Sequence, residues 1–344
     1  MSRPTSERMW LLCGFAFLAA AQSAAGDSGA SISVALAALA SALAAELFLT
    51  FKEHGARRIR DGSAAASAMV LVLLLPNQTH PMHAALGAAF AMAVVKHSFG
   101  GLGSNWMNPA LGGWLFVRFS WPAAFARAPS AAGYLEAAGS PADSAVREFL
   151  NRAVFSRLGA ELPAGYIDVF WLGSPGIIAD RAVLSLLLLV AAVFAFRASR
   201  WRASVAYLAV FAFLARMVGD LPYEGRLWEG DVLLALLSGG TLVTAFVLVA
   251  EPGGGAKSSA GAVALAVFAA VASAAFRFPG GELYGGFFAV ALANALAPLL
   301  RRLERRTLYA PPNEAHLLLE EKRTPLLEAP PPAAPDGRGE ARLG

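Results

Sequence analysis

The chain has 344 residues, of which 57% are hydrophobic and 15% are charged, and its mean hydropathy is +0.54. A soluble domain carries about 25% charged residues, so this composition excludes an ordinary soluble enzyme and predicts helices that cross a lipid bilayer. The formal net charge of +4 comes from basic clusters beside apolar segments, a pattern typical of membrane proteins that does not indicate a nucleic-acid partner.

The predicted elements are ten apolar segments, several of them shorter than the roughly 20 residues of a full helical crossing. The segments at 62–76 and 107–121 are interpreted as broken or re-entrant helices, which need protein or a cavity around them. We expect an all-α polytopic membrane protein, with membrane lipid as one partner. The predicted spans are 9–25, 31–51, 62–76, 82–99, 107–121, 182–197, 203–219, 231–250, 259–276 and 285–300.

The first apolar segment has two interpretations. Arg3 and Arg8 precede it and small residues follow near Ala24 and Ala25, which resembles a cleavable signal peptide. The alternative is a retained first helix, because a polytopic protein needs no cleaved signal and five spans in each half require this segment. The segment also holds Cys13, the single cysteine of the chain, so no intramolecular disulfide forms.

Basic residues cluster at 52–60, 197–202 and 301–306, after the second, sixth and tenth predicted spans. Because such clusters stay on the cytoplasmic side, we expect ten crossings of a bacterial inner membrane with both termini in the cytoplasm. The segment 122–181 then lies outside. Proline and mixed charge dominate 307–344, which predicts a disordered cytoplasmic tail.

The two halves of the chain repeat a pattern of small residues, an apolar run and a proline. The order of these elements predicts two five-helix membrane repeats, at 1–121 and 182–306, joined by the external segment. Five is an odd number, so the second repeat is inverted, and inverted repeats place a site near the membrane midplane. The alternative is that Ala- and Gly-rich helices resemble each other by composition alone. The matching stretches are 61–76 with 237–252, 87–103 with 261–281, and 108–116 with 294–300.

Two carboxylates are candidates for an ion path. Asp61 opens the third span in the sequence Asp-Gly-Ser, where it either caps a helix or takes part in a cation path, and the two roles are compatible. Glu46 lies inside the second span, and carboxylates within the membrane are functional candidates. The alternative for Glu46 is an ion pair with Lys52 or Arg57 near the interface.

A glycine-rich loop between the fourth and fifth spans is a candidate cofactor site. Gly101 and Gly103 allow tight turns and the close approach of a ligand. Asn105 and Asn108 offer amide groups to a ring edge or an ion, and Asn108 is also the expected cap of a helix that begins with Pro109. The loop lacks the spacing of a nucleotide-binding motif. The sequence contains no recognisable catalytic set and no metal-binding set.

Motifs in both halves, taken in order, resemble one protein family. In the first half, DGSAAASAMVLVLLLP at 61–76 is followed by AALGAAFAMAVVKHSFGGLGSNWMNPALGGWLFVRFSWP. In the second half stand LLSGGTLVTAFVLVAEP at 236–252 and FPGGELYGGFFAVALANALAPLLRR at 278–302. With these motifs, residues 1–306 resemble the D subunit of the Rnf ion-translocating electron-transport complex and its homologue, the B subunit of the Na⁺-translocating NADH:quinone reductase.

The resemblance implies a ten-helix subunit whose partners are the other subunits of the complex, and which passes electrons through flavin while Na⁺ or H⁺ is transported. Members of the family usually carry FMN on a threonine of a Ser-Gly-Ala-Thr motif in the external middle segment. Residues 121–181 contain no threonine, and the corresponding stretch offers only the hydroxyl of Ser144. We therefore expect FMN or another flavin to be bound non-covalently or at a degenerate site.

Two other functions fit the same predicted fold. A channel or secondary transporter for a small solute would use the inverted repeat without redox partners. A structural subunit without a cofactor would hold a complex together and leave electron transfer to its partners.

Overall fold

The computed structural model describes residues 3–25, 29–50, 61–98, 105–125, 141–159, 161–162, 164–171, 176–182, 185–187, 190–191, 200–219, 226–251, 255–256, 258–278 and 283–308. Four residues of the sequence predictions lie outside these ranges, namely Lys52, Arg57, Gly101 and Gly103, and so does most of the predicted tail. Residues Met1–Leu300 form one compact unit, and Arg301–Gly344 form a second.

The described residues form helices joined by turns and contain no strand. The α-helices are α1 (Arg3–Ala25), α2 (Ala30–Thr50), α3 (Ser63–Leu74), α4 (Pro81–Phe90), α5 (Pro109–Ser120), α6 (Pro141–Ala153), α7 (Tyr166–Trp171), α8 (Trp201–Val218), α9 (Val232–Leu237), α10 (Thr241–Val243), α11 (Ser259–Arg277) and α12 (Gly285–Leu308). Two π-helical segments continue α4 and α10, at Ala91–His97 and Thr244–Leu248. Short 3₁₀ helices lie at Pro122–Phe125, Phe155–Leu158 and Asp180–Ala182.

Five helices among the described residues are long and apolar enough to cross a membrane. Each of the five contains at least 18 residues of high hydropathy. The prediction of an α-helical membrane protein with several crossing helices is therefore confirmed. The five crossing segments are Ser6–Ala25, Ala30–Thr50, Trp201–Val218, Ser259–Arg277 and Gly285–Glu304.

Helix α3 is a broken helix surrounded by protein. It begins after Gly62, whose φ of 73° is left-handed and favours glycine, and it ends at Leu75, which is extended before Pro76. Its 12 residues rise only about 18 Å, and all but one of them are buried. The predicted broken helix at 62–76 is therefore confirmed, together with the protein that such a helix needs around it.

Helix α5 is equally short and packs closely on α4. Asn108 caps it and Pro109 is its first residue, as the sequence predicts. Its Gly113 faces Gly87 of α4, and a Cβ on Gly113 would lie 2.7 Å from the Gly87 carbonyl oxygen. Small residues at this crossing therefore allow the two backbones to touch.

Helix α1 packs against α3 and is joined to the second half of the chain. Ala16, Ala19 and Ala20 are buried on this helix. The Gln22 side-chain oxygen accepts hydrogen bonds from the backbone N–H and the hydroxyl of Ser185, at 3.2 and 2.6 Å. Loss of α1 would therefore expose the buried face of α3.

A short extended segment connects the broken helix of the first half to the second half. The Ile178 N–H donates to the Leu75 carbonyl at 2.9 Å, and the Ala179 N–H donates to the Leu73 carbonyl at 3.0 Å. These bonds satisfy carbonyls that the end of α3 leaves without helical partners. They also place the next residue, Asp180, beside the break that precedes α10.

Candidate functional site

Glu46 stands at the centre of a buried polar cluster in the first half. Its side chain on α2 is fully buried, and Lys96 Nζ lies 2.9 Å from both carboxylate oxygens. His97 Nε2 lies 2.8 Å from Glu46 Oε2. Lys96 and His97 end the π-helical segment that continues α4, and π-helical turns of this kind are frequent at functional sites.

The same cluster extends to Asp61 through a serine hydroxyl. Lys96 Nζ donates to Ser63 Oγ at 2.8 Å, and Ser63 Oγ donates to Asp61 Oδ1 at 2.7 Å. The Ser63 backbone N–H also donates to Asp61 Oδ1, at 2.8 Å, so Asp61 binds the first N–H of the helix although the cap itself is Gly62. The two predicted ion-path carboxylates are therefore joined by Lys96 and Ser63.

Sequence reasoning missed both partners of Glu46. The pairing considered there was with Lys52 or Arg57, which lie outside the described residues, whereas the partners in the structure are Lys96 and His97. The signal available in the sequence was a Lys-His pair at the end of an apolar run. It was overlooked because those residues are 50 and 51 positions away from Glu46.

Burial makes this ion pair costly to disturb. Glu46 is 0% exposed and Lys96 is 2% exposed, so neither charge is solvated by water. Removing one partner of such a pair costs about 3–5 kcal/mol, because the other charge is left without compensation. Each charge of the pair therefore depends on the other for compensation inside the protein.

A second polar cluster surrounds Arg277 at the end of α11. Its guanidinium Nη1 donates to the carbonyls of Ala235 and Ser238 at 3.0 and 3.1 Å, and to Thr241 Oγ1 at 3.0 Å. Nη2 donates to Ser238 Oγ at 2.5 Å. The ring of Phe211 lies 5.7 Å from the guanidinium carbon. Arg277 thereby satisfies carbonyls at the end of α9 that have no helical partner.

The break before α10 is fixed from its other side by Asp180. Its buried carboxylate accepts hydrogen bonds from the backbone N–H groups of Gly239 and Gly240, at 3.0 and 2.8 Å. Both glycines have left-handed φ values, 65° and 67°. The glycines that the sequence marks as small residues are therefore required here by backbone conformation.

The breaks before α3 and α10 share three features. Each has a left-handed glycine as its cap, a hydroxyl residue in the first helical position, and a cation that donates to that hydroxyl from a later helical segment. The matching residues are Gly62 and Gly240, Ser63 and Thr241, and Lys96 and Arg277.

The asparagines of the glycine-rich loop have different environments. Asn108 Oδ1 accepts hydrogen bonds from the backbone N–H groups of Ala110 and Leu111, at 2.8 and 3.3 Å, so its oxygen is engaged as a helix cap. Its side chain also hydrogen-bonds Glu251. Asn105 is buried, and its Oδ1 accepts no hydrogen bond from the described residues. An acceptor of this kind suits an N–H donor of a bound ring.

Ser144 lies in the first turn of α6 and its side chain is exposed. Beside it, the buried Asp143 carboxylate accepts hydrogen bonds from the backbone N–H groups of Gly165 and Ile167, at 3.1 and 3.0 Å. Arg147 Nε also lies 3.8 Å from Asp143 Oδ2. Ser144 is therefore an exposed hydroxyl beside a buried carboxylate that backbone N–H groups and an arginine surround.

Charged clusters buried between apolar helices define an integral membrane protein with functional groups inside its helical bundle. The chain matches the family described as "NQR2, RnfD, RnfE family" over residues 2–310. It therefore belongs to this family.

Several relatives are similar over most of their length. The chain is 25% identical to the D subunit of the Na⁺-translocating ferredoxin:NAD⁺ oxidoreductase complex of Acetobacterium woodii, over 73% of this chain and 74% of the relative. It is 29% identical to the D subunit of the ion-translocating oxidoreductase complex of Pseudomonas aeruginosa, over 73% and 75%. It is 24% identical to the D subunit of the proton-translocating ferredoxin:NAD⁺ oxidoreductase complex of Clostridium ljungdahlii, over 86% and 88%.

Proposed function

We propose that the protein is an integral membrane subunit of an Rnf-type ion-translocating oxidoreductase complex, where it takes part in flavin-linked electron transfer coupled to Na⁺ or H⁺ transport. The observation that carries this proposal is the family match over residues 2–310, combined with relatives that are D subunits of such complexes. Its partners are then the other subunits of the complex, the transported ion and membrane lipid.

The proposed topology has ten membrane segments in two inverted five-helix repeats, in a bacterial inner membrane with both termini in the cytoplasm. Support comes from the two breaks, because each combines a left-handed glycine, a hydroxyl and a cation in the same arrangement. Repeated breaks are what an inverted-repeat transporter uses to build a site near the midplane. Cysteine accessibility on each side of the membrane tests the orientation.

Within this proposal, Glu46 and Asp61 lie on the ion path. They are the two carboxylates of the first-half cluster, and both are connected to Lys96, directly or through Ser63. Ionisable groups inside the membrane typically mark such paths, because their burial is too costly to persist without a role.

Flavin enters the proposal as a non-covalent ligand. The missing threonine disfavours a phosphoester, whereas the buried Asn105 offers an acceptor that no described residue uses. When bound, a flavin supplies one- and two-electron chemistry. This chain contributes polar groups and exclusion of water.

Purification of the tagged full-length chain from its own membranes tests the proposed function. We expect it to co-purify with iron–sulfur and flavin subunits, and we expect its deletion to abolish electron transfer between ferredoxin and NAD⁺ in those membranes. Purification without redox subunits, together with solute uptake by liposomes that contain it, would identify a transporter instead. Intact assembly with unchanged electron transfer and ion transport in Glu46→Gln and Asp61→Asn variants would identify a structural subunit.

In-gel fluorescence of the denatured protein tests the mode of flavin binding. We expect no fluorescent band from the wild type, because denaturation releases a non-covalent flavin. A strong band in the wild type that disappears in Ser144→Ala would show a phosphoester at Ser144. A band that persists in Ser144→Ala would place the attachment elsewhere.

A further inference from the structure

Helix α6 is attached to the rest of the chain by its polar side. The Asp143 carboxylate accepts hydrogen bonds from the backbone N–H groups of Gly165 and Ile167, at 3.1 and 3.0 Å. Further along the helix, the Asn151 side chain binds both the N–H and the carbonyl of Leu162, at 2.7 and 3.2 Å. Asp143 and Asn151 are two i,i+4 steps apart and therefore lie on one face. Polar side chains face the protein here, whereas a surface helix of a soluble domain turns its apolar face inward.

A second side of α6 is apolar and exposed. Val146, Phe149 and Ala153 follow the i, i+3, i+7 spacing of a single helical face. Phe149 is 68% exposed, and Val146 and Val154, which directly follows the helix, are also exposed. The helix is fixed from its polar side, so these side chains stay open to whatever surrounds the protein. An exposed apolar face of this kind indicates an apolar partner.

Arginines border this apolar face on both sides. Arg152 is the i+3 neighbour of Phe149, and Arg147 lies three positions before Leu150, so one arginine stands at each margin. Arg152 also pairs with Glu148 at 2.7 Å, but both side chains are exposed, and such a pair contributes little and leaves the guanidinium available to a phosphate. An apolar strip with phenylalanine and leucine between arginines is typical of a helix that lies in the plane of a membrane surface.

The turn before α9 marks a boundary between lipid and water at one end of the crossing helices. Trp228 lies in this turn, is half exposed, and contacts Phe213 edge-on, with 5.6 Å between the ring centroids. Phe213 belongs to the exposed side of the crossing helix α8. The Trp228 N–H donates to the Met217 carbonyl at 3.1 Å, which fixes the turn to the end of that helix. The lipid-facing surface of α8 therefore continues to a tryptophan, the residue type that is enriched where lipid meets water.

Helix α6 lies at the same end of the molecule as this turn. It packs on α7, and α7 packs on both α9 and the 3₁₀ segment Asp180–Ala182. Helix α9 begins at Val232, which follows the turn that holds Trp228. These contacts place α6 near the surface of the bilayer that surrounds the crossing helices. The headgroup layer of that bilayer offers apolar depth to the Phe149 ring and phosphates to the bordering arginines.

We propose that α6 is an interfacial anchor, which lies in the plane of the membrane with Phe149 and its apolar neighbours among the upper acyl chains and with the bordering arginines at the lipid phosphates. This placement buries the face that the protein itself leaves exposed. It also keeps Ser144, on the exposed polar side of the helix, in water. The segment between the two halves of the chain is then held by the bilayer surface as well as by α7.

Fluorescence quenching in liposomes tests the anchor. Cys13 is the only cysteine of the chain, so Cys13→Ser gives a background in which one new cysteine carries a bimane label. The full-length Phe149→Cys protein is labelled and placed in vesicles of phosphatidylglycerol and phosphatidylcholine, by itself and in the complex with which it co-purifies. We expect phospholipids brominated on the upper acyl chain to quench the label, and we expect iodide in the water to leave its intensity unchanged.

Ser144→Cys is the matched control, because Ser144 is exposed on the polar side of the same helix. Iodide should quench this label, and brominated lipid should leave its intensity unchanged. Val146→Cys supplies a second position on the apolar face and should give the same result as Phe149→Cys. All three positions are exposed, so a label at any of them leaves the contacts of α6 with the protein intact.

Two results would overturn the anchor. Iodide quenching at Phe149→Cys and Val146→Cys that is as strong as at Ser144→Cys would show that the apolar face lies in water. Protection of both labels from iodide and from brominated lipid in the complex would show that another protein subunit covers the face. The measurement reports lipid contact and not electron transfer, so neither result changes the proposed function.

Discussion

The two helix breaks hold their cations by different chemistry. Lys96 in the first half is paired with the Glu46 carboxylate, whereas Arg277 in the second half is bound by backbone carbonyls and hydroxyls. A guanidinium presents several donors in a rigid planar fork, whereas an ammonium is a compact charge on a flexible stem. The difference indicates that the first break is held by a buried ion pair and that the second break is a rigid anchor.

The contacts that fix the backbone at the two breaks also differ. The second break is held by Asp180, whose two oxygens bind the N–H groups of Gly239 and Gly240, so that backbone and side chains are locked together. At the first break, Asp61 binds the Ser63 N–H and hydroxyl, and Lys96 donates to the same hydroxyl. We therefore expect substitutions in the first cluster to change ion transport, with or without a change in stability, and those in the second to change stability alone.

The largest expected effect comes from Glu46→Ala, which should lower the free energy of unfolding by about 3–5 kcal/mol because the buried Lys96 ammonium loses its partner. Denaturant titration of the purified protein in detergent measures it. The double variant Glu46→Ala, Lys96→Met is the control, since it removes both charges and should recover most of the loss. A double variant as unstable as the single one would show that the ion pair is not the cause.

Gly240→Ala should have the next largest effect, about 2–4 kcal/mol, because it combines left-handed backbone strain with overpacking. Gly240 has a φ of 67°, and an added Cβ would lie 2.6 Å from Phe287 Cζ. Gly14→Ala is the matched control, since Gly14 lies inside α1 with nothing within 4 Å of its Cβ position. That variant should be stabilised by up to about 1 kcal/mol. Equal unfolding curves for the two variants would contradict the role of the second break.

Arg277→Lys tests the anchor, and we expect the free energy of unfolding to fall by about 1–2 kcal/mol with ion transport unchanged. A lysine keeps the charge but lacks the planar fork that reaches Thr241, Ser238 and Ala235 together. Thermal unfolding and ion uptake by liposomes that contain the complex measure the two quantities. Arg152→Lys, in the exposed ion pair with Glu148, should change neither. A fall in ion transport on Arg277→Lys would mean that both breaks take part in transport.

Asp61→Asn should have the smallest effect on stability, below about 0.5 kcal/mol, because the amide oxygen of asparagine accepts the same hydrogen bonds from the Ser63 N–H and hydroxyl. Ion transport by the complex should nevertheless fall, since the change removes one of the two carboxylates of the proposed ion path. The comparison of unfolding and ion transport in one variant therefore separates the structural role of Asp61 from its transport role. Unchanged ion transport would remove Asp61 from the proposed path.

Local features of the fold were predictable from the sequence. The short helix after Gly62 is determined by a left-handed glycine at one end and by the residue before Pro76 at the other. The start of α5 follows from Asn108 and Pro109, which cap and open a helix through bonds to neighbouring residues. Such interactions join residues that are close in the chain, so the pattern of residue types is sufficient to place them.

The composition of the site depended on tertiary structure. The partners of Glu46 lie 50 and 51 positions away, and the glycines that Asp180 binds lie 59 and 60 positions away. Which side chains meet across such distances depends on how helices cross and where each one is broken, and many crossings are compatible with the same apolar pattern.

The sequence alone determined that this protein is a membrane protein built from apolar helices, because hydropathy and chain length limit what a bilayer accepts. It also offered Glu46 and Asp61 as candidates for an ion path, with an ion pair and helix capping as their alternatives. Only the tertiary structure decided that a lysine and a histidine surround Glu46, and that a serine links it to Asp61. The physical reason is that the desolvation penalty depends only on the charged residue itself, so the sequence shows it. The partner that offsets this penalty depends on which helices pack together.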